Sequence, residues 1–264
     1  MEAADESQRV ALKTRIVFCG DQRSMQRLLI LIYGVISYAF GMSVILYMIG
    51  FVSGVVVPKN IDDGAVVSVV EAVLVDLALI ALFGVSHSVM ARPAFKEKLT
   101  KIIPQAAERS TFVLTANIAF AILYWQWRPI KFVLWHSEPP LSTLLFSVSM
   151  VGWIIVNWST FLIDHFDLFG IRQVWLNFKG IDYFQRPFVV RGLYKFVRHP
   201  LMLGFLIAFW VAPTMSAGHL LFTLSMTAYI LIGTYHEERD LERSFGDGYA
   251  NYKKETSMII PGLK

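Results

Sequence analysis

Long apolar runs are the feature of this 264-residue sequence that most constrains its fold. A helix needs about 20 apolar residues to cross about 30 Å of hydrocarbon. Four runs meet or approach that length, at 28–57, 66–90, 110–127 and 141–163, and two shorter runs follow at 201–212 and 219–234. With 55% hydrophobic residues, the composition is also not that of a soluble domain. The sequence therefore predicts an all-α fold, a polytopic transmembrane helical bundle of five to six spans.

Basic residues alternate between the predicted connections. The tails and the five connections carry 5, 1, 5, 2, 6, 0 and 5 Lys or Arg residues in chain order, which accounts for all 24. Because Lys and Arg favour the cytosolic side of a membrane, this series predicts six crossings with both termini in the cytosol. The alternative is five full spans plus a re-entrant hairpin formed by the last two runs.

Charge and cysteine content narrow the class of protein further. The net charge of +4 follows from the cytosolic bias, and anionic lipid headgroups explain it better than nucleic acid does. Cys19 is the only cysteine, which excludes an internal disulfide and a thiolate metal cluster. We expect no secretory signal, because several charges precede the first apolar run.

A single integral membrane domain is predicted to occupy residues 1–264. It would comprise a cytosolic tail at 1–27, four transmembrane helices at 28–163, an interfacial connection at 164–200, and a C-terminal hairpin with its tail at 201–264. The connection is rich in aromatic residues interleaved with Arg, Lys and Gln, a mixture that suits a membrane interface.

Titratable side chains gather at the predicted cytosolic rim. They are His87, Asp164, His165, His199, His236, Glu237 and Glu238. The segments that hold His199 and Glu238 flank one hairpin, so we expect these two polar segments to lie side by side. A soluble, charged cosubstrate arriving from the cytosol would meet this rim first.

Several chemistries lack their sequence signals. No Gly-rich phosphate loop precedes a helix, and neither a His-Glu-x-x-His pair nor a Gly-x-Ser-x-Gly elbow occurs. The spacing of His87, His165, His199 and Glu238 leaves a metal site open, but no metal is predicted. Asp76 lies deep in the second run, where we expect a structural hydrogen bond to a neighbouring helix.

The C-terminal residues resemble those of a known superfamily. The pattern is Arg198-His199-Pro200-x-x-x-Gly204, then Glu237-Glu238-x-x-Leu241-x-x-x-Phe245-Gly246-x-x-Tyr249-x-x-Tyr252, and Pro261. From residue 198 onward the chain therefore resembles the isoprenylcysteine carboxyl methyltransferase superfamily. The resemblance implies an integral membrane enzyme that uses S-adenosylmethionine as its methyl donor.

Motifs elsewhere resemble one branch of that superfamily. They are His87-Ser88-x-x-x-Arg92-Pro93-x-x-Lys96, Glu108-Arg109-Ser110, Trp125-x-Trp127-x-Pro129 and Asp167-Leu168-Phe169-Gly170-Ile171-Arg172-Gln173. This is similar to the methanethiol S-methyltransferase branch, which implies conversion of methanethiol to dimethyl sulfide. One position departs from the pattern, since Met202 stands where many superfamily members carry a tyrosine.

The resemblance also implies which residues form the site. The donor would lie in a cytosolic pocket formed by Tyr194, Arg198, His199, Pro200, Leu201, Gly204, Tyr235, Glu237 and Glu238. The second substrate must lose a proton, because the thiolate and not the thiol is the nucleophile. The predicted catalytic residues are His87, Asp164 or His165 for the proton and Arg239 or Arg243 for the anion.

The predicted partners are a small volatile thiol, S-adenosylmethionine and the lipid bilayer of a bacterial inner membrane, with no nucleic acid. Two other classes stay open. The first is a methyltransferase for another lipophilic acceptor, either an isoprenylcysteine carboxylate or a phospholipid amine. The second is a non-catalytic, denitrification-associated membrane protein, because such a family shares parts of residues 87–109.

Overall fold

The computed structural model describes residues 2–263 and the side chains of residues 22–263. In this part of the chain, five helices are long and apolar enough to cross a membrane. They are α1 (Glu2–Ser53, apolar from Gln22), α2 (Val69–Ala91), α4 (Glu108–Gln126), α5 (Leu141–Ile163) and α9 (Ala217–Phe245). The shorter helices are α3 (Pro93–Leu99), α6 (His165–Leu168), α7 (Ile171–Lys179), α8 (Pro200–Trp210) and α10 (Asp247–Glu255). The prediction of an all-α integral membrane bundle is confirmed.

Two short strands lie at one end of the bundle. Strand β1 (Val133–His136) pairs antiparallel with β2 (Thr214–Ser216), with Trp135 opposite Met215. They join the connection after α4 to the connection before α9. We call this the ribbon end, and we call the opposite end, where α5 finishes and α8 begins, the His199 end.

Helix α8 is too short to cross the bundle by itself, since its 11 residues rise only about 17 Å. It runs antiparallel to α5, where Ser149 Oγ donates to the carbonyl of Ala208 at 3.1 Å. Residues 211–213 then lead the chain to β2 at the ribbon end. In the described residues the chain thus passes between the two ends six times, because α8 and residues 211–213 lead it to the ribbon end and α9 returns it to the His199 end.

The observed helices end where the predicted apolar runs end only when a polar turn follows the run. Helix α5 coincides with the predicted span at 141–163. Helix α1 has no break near residue 27, and α9 continues past residue 234 to Phe245. The polar segment at 235–245 stays helical because Glu, Arg and Leu are good helix formers.

The ribbon end is fixed by buried polar contacts. Trp127 is fully buried, and its Nε1 donates to the carbonyl of Ile61 at 3.0 Å. Asp76 Oδ1 accepts the backbone N–H of Arg128 at 2.9 Å. Asp76 thus makes a structural hydrogen bond, but the donor lies in the segment that follows α4 and not in a neighbouring helix as predicted.

Glycines let α5 and α8 approach closely. A Cβ added to Gly204 would lie 2.7 Å from the carbonyl oxygen of Gly152 and 2.8 Å from the backbone nitrogen of Val156. Small residues are favoured between membrane helices because they allow such contact. Packing therefore explains why residue 204 lacks a side chain, and donor contact at this residue stays a prediction.

Replacement of Gly204 by Ala is expected to destabilise the protein by about 1–3 kcal/mol, the usual cost of overpacking. The matched control is Gly233→Ala on α9, where an added Cβ meets nothing within 4 Å. That change is expected to be neutral or stabilising, because Ala favours a helix over Gly. Thermal unfolding in detergent checks both variants, and equal melting temperatures would contradict the packing role.

Candidate functional site

A buried carboxylate lies at the His199 end, where α8 begins beside α9. Glu238 Oε1 accepts from Arg198 Nε at 2.6 Å and lies 3.2 Å from His199 Nε2. Its other oxygen is 3.2 Å from Lys253 Nζ. We call these four residues the Glu238 cluster. The two polar segments that flank the last pair of runs thus lie side by side, as the sequence predicts.

Arg198 also binds the C-terminal segment. Its Nη1 donates to the carbonyl of Lys253 at 3.0 Å and to that of Thr256. The backbone N–H groups of Arg198 and His199 donate to Ser257 and Met258 at 2.8 and 3.0 Å. Residues 253–258 are therefore held against the N-terminus of α8.

Aromatic residues of the C-terminal pattern pack together. The Phe188 ring lies 5.3, 5.7 and 5.5 Å from the rings of Phe245, Tyr249 and Tyr252. The Tyr252 hydroxyl donates to the carbonyl of Tyr194 at 2.5 Å. These positions thus fasten the 164–200 connection to α9 and α10, which gives them a structural role.

The Tyr249 hydroxyl is buried and makes no hydrogen bond to the described residues. Burial and then the charge of Glu238 raise the pKa of this hydroxyl well above its usual range, so it keeps its proton. A buried donor without an acceptor costs about 1–3 kcal/mol. A ligand with an acceptor atom, bound beside the Glu238 cluster, would offset that cost.

The carboxylate of Glu237 is half exposed, and His199 Nδ1 lies 3.8 Å from it. Burial and then the charge of Glu237 raise the pKa of Tyr194 well above its usual range. The negative charge of Glu237 also contributes to the pKa of Tyr249 and to that of Arg109 in α4. Of the side chains from other segments, His199 thus contacts this carboxylate, while those of Tyr194, Tyr249 and Arg109 lie within range of its charge.

His87 lies near the end of α2 and contacts α9. Its Nδ1 is 2.7 Å from the hydroxyl of Tyr229, and this is the only hydrogen bond that the ring makes to the described residues, so Nε2 takes part in none. Its ring centroid lies 4.7 Å from that of Phe112 and 5.4 Å from that of Phe83. The imidazole is thus held through Nδ1, while Nε2 is left without a hydrogen bond, and aromatic rings surround both.

Arg109 was absent from the predicted site residues. Its Nε donates to the carbonyl of Leu168 at 2.7 Å, and its guanidinium lies 4.9 Å from the ring centroid of Phe112. Among the described side chains, no carboxylate forms an ion pair with it. Arg109 lies within electrostatic range of both His87 and Glu237. The available sequence signal was a charge in the first turn of an apolar helix.

Asp164 and His165 take part in structural contacts. Both ring nitrogens of His165 are engaged, Nε2 with the Tyr38 hydroxyl and Nδ1 with Thr160 Oγ1, each at 2.8 Å. Burial lowers the pKa of His165, which favours its neutral form. Asp164 Oδ2 pairs with Arg186 Nε at 2.7 Å. Both residues are thus engaged within the protein, His165 through both ring nitrogens and Asp164 through its ion pair with Arg186.

The other predicted residues lie nearby or on the surface. Tyr235 is exposed, with the Arg239 guanidinium 5.8 Å from its ring centroid. Arg243 pairs with Asp240 at 3.2 Å. Along α9, Arg239 and Arg243 lie about 15 and 21 Å beyond Tyr229, the partner of His87. Pro200 and Leu201 form the first turn of α8.

The chemistry of the site fits a polar ligand that carries both hydrogen-bond donors and hydrogen-bond acceptors. Glu237 offers an acceptor, while the protonated hydroxyls of Tyr194 and Tyr249 offer donors. Among residues 22–263, no three His, Cys, Asp or Glu side chains are placed to hold a metal ion.

Comparisons with known proteins agree with the superfamily resemblance. The family model described as NnrU protein matches residues 75–262. Methanethiol S-methyltransferase 2 of Bradyrhizobium diazoefficiens is 49% identical over 237 residues, which cover 90% of this chain and 92% of that protein. Methanethiol S-methyltransferase of Mycobacterium tuberculosis is 46% identical over 238 residues, which cover 90% of this chain and 98% of that protein.

A more distant similarity extends to Nurim of Mus musculus, which is 29% identical over 184 residues, or 66% of this chain and 70% of that protein. No solved structure matches the chain. By its family model and by its identity to curated relatives over nine-tenths of its length, the chain belongs to the NnrU family and, within the isoprenylcysteine methyltransferase-like superfamily, to the methanethiol S-methyltransferases.

Proposed function

We propose that this protein transfers a methyl group from S-adenosylmethionine to methanethiol, releasing dimethyl sulfide and S-adenosylhomocysteine. The observation that carries the proposal is 46–50% identity, over 87–90% of the chain, to proteins named for methanethiol S-methylation. The polar site at the His199 end supports it, because the half-exposed Glu237 carboxylate lies 3.8 Å from His199 and its charge reaches the protonated hydroxyl of Tyr194.

The donor binds at Glu237. When bound, S-adenosylmethionine supplies a sulfonium methyl group that needs no further activation. The Glu237 carboxylate accepts hydrogen bonds from hydroxyl or ammonium groups, and Tyr194 and Tyr249 donate to acceptor atoms. Arg198 and Glu238 hold the surrounding segments in place. Contacts of Tyr235, Pro200 and Leu201 with the donor are part of the same proposal.

His87 takes the thiol proton on Nε2, and Arg109 stabilises the resulting thiolate. Of the predicted acceptors, only His87 has a nitrogen without a hydrogen-bond partner among the described residues. Arg109 lies closer to it than the exposed Arg239 and Arg243 do, and its charge already acts on His87. Neighbouring aromatic rings keep water from the reacting sulfur.

The His199 end faces the cytosol of a bacterial inner membrane, with residues 1–264 forming one domain. The alternation of basic residues supports this orientation. Labelling from the cytosolic side of a cysteine introduced at Gly248, in a chain without Cys19, checks it, and labelling only from the other side would reverse it.

Purified protein in lipid nanodiscs is expected to convert methanethiol and methyl-labelled S-adenosylmethionine to labelled dimethyl sulfide. A prenylcysteine analogue and phosphatidylethanolamine serve as competing acceptors, and turnover of only these would refute the proposal. S-adenosylhomocysteine at a hundredfold excess over its Kd is expected to stabilise the protein by about 2.7 kcal/mol. A non-catalytic membrane protein would show neither product nor stabilisation.

A further inference from the structure

A hydrogen bond between two spanning helices holds the imidazole of His87. The Tyr229 hydroxyl of α9 lies 2.7 Å from Nδ1, and the Tyr229 and His87 rings meet nearly edge-on, at 81°. Tyr229 lies in an apolar run, about 12 Å along α9 from Glu237, so it is not among the side chains that surround that carboxylate.

The contact matters because a neutral imidazole carries its proton on only one nitrogen. If Nδ1 holds the proton, Nε2 presents a lone pair and acts as a base. The partner of Nδ1 therefore decides whether Nε2 accepts or donates. The Tyr229 hydroxyl carries oxygen lone pairs as well as a proton, so its oxygen is able to accept the Nδ1 proton.

We propose that Tyr229 is a positioning residue, which accepts the Nδ1 proton of His87 and so leaves Nε2 free to receive the thiol proton. The inference rests on the proposed function, in which the S–H proton passes to Nε2 and the thiol sulfur forms the new bond to the methyl carbon. The bond between that carbon and the sulfonium sulfur of the donor breaks, and its electron pair stays with S-adenosylhomocysteine. Tyr229 itself neither gains nor loses a proton overall. The other groups that face His87 are Arg109 and the rings of Phe83 and Phe112.

The test is a double-mutant cycle on methanethiol turnover with Tyr229→Phe and His87→Gln. Tyr229→Phe alone is expected to lower kcat about tenfold, the effect of one hydrogen bond, with the KM for the methyl donor unchanged. In the His87→Gln background it is expected to cause no further loss, because Tyr229 acts through His87. Equal losses in both backgrounds would overturn the inference.

Tyr124→Phe is the matched control. It also removes a hydrogen bond between buried parts of spanning helices, from the Tyr124 hydroxyl to the carbonyl of Val44 at 3.3 Å. Its kcat is expected to equal that of the unmodified protein. A tenfold loss of kcat in Tyr124→Phe as well would show that the effect of Tyr229→Phe comes from disturbed helix packing and not from His87.

A spectroscopic readout separates this inference from the proposed function. Nitrogen NMR of histidine-labelled protein, assigned through His87→Gln, is expected to show the Nδ1–H tautomer at His87 and its loss in Tyr229→Phe. An Nε2–H tautomer in the unmodified protein overturns the inference even if methanethiol is methylated. Absence of methanethiol turnover would contradict the proposed function. The nitrogen signals of His87 would still show whether Tyr229 fixes the Nδ1–H tautomer.

Discussion

Glu238→Gln is expected to cost about 3–5 kcal/mol of folding free energy and to abolish methyl transfer. Its carboxylate is buried and contacts Arg198, His199 and Lys253. Removing one partner of a buried ion pair leaves the other charge uncompensated, which is why the loss exceeds that of a surface pair. Thermal unfolding in nanodiscs and initial rates of dimethyl sulfide formation measure the two effects.

Glu242→Gln is the matched control for this experiment. Glu242 contacts the same lysine, Lys253, at 2.8 Å, but its side chain is 38% exposed against 6% for Glu238. Exposed ion pairs contribute about 0–1 kcal/mol. The two variants are therefore expected to differ by at least 2 kcal/mol or so, and equal stabilities would contradict the buried role of Glu238.

Activity loss in Glu238→Gln follows from the position of its partners. Arg198 holds residues 253–258 and His199 borders Glu237, so loosening Arg198 disperses the side chains that surround the donor site. The double variant Arg198→Met with Glu238→Gln is expected to lose less stability than the sum of the two single variants. The double variant is nevertheless expected to stay inactive. Stability that recovers without activity would show that the cost of an unpaired buried charge is separate from the loss of the donor site.

The membrane spans were predictable because hydropathy is a local property of the sequence. The run at 141–163 became α5 with the same bounds. The path of the fifth pass was not predictable, because α8 reaches the ribbon end only through β2, which pairs with a strand near residue 135. Pairing between segments so far apart leaves no local signal.

The candidate site also contains residues that were predictable from the sequence and residues that were not. The contact between His199 and Glu238 was predictable, since both flank one hairpin. Arg109 and Tyr229 were not, because their roles depend on which helices are neighbours in space. A tyrosine within an apolar run has the same sequence pattern whether it packs in a core or positions a histidine.

His87→Gln is expected to reduce kcat for methanethiol by about 10²–10⁴, the usual contribution of a positioned acid or base. Glutamine has an amide that keeps a hydrogen bond to the Tyr229 hydroxyl, yet it cannot take up a proton at neutral pH. The fold should therefore survive while proton transfer is lost. Turnover by purified protein, with melting temperature as the check on folding, measures the effect.

Two other histidines provide the comparison. His136→Gln changes an exposed residue at the ribbon end, so its rate is expected to be unchanged. His165→Gln removes a ring whose two nitrogens bind Tyr38 and Thr160, so it is expected to lower the melting temperature more than the rate per folded molecule. If His165→Gln lost the rate and His87→Gln did not, the proton acceptor would be His165.

Alkaline pH offers a separate check on the role of His87. As pH rises, a larger share of methanethiol is already thiolate in solution, and a base in the protein becomes less necessary. The deficit of His87→Gln relative to the unmodified protein is therefore expected to narrow as pH rises, with Arg109 still charged beside the sulfur. A deficit that stays constant across the pH range would show that His87 does not accept the thiol proton, and would point to a role in binding or packing.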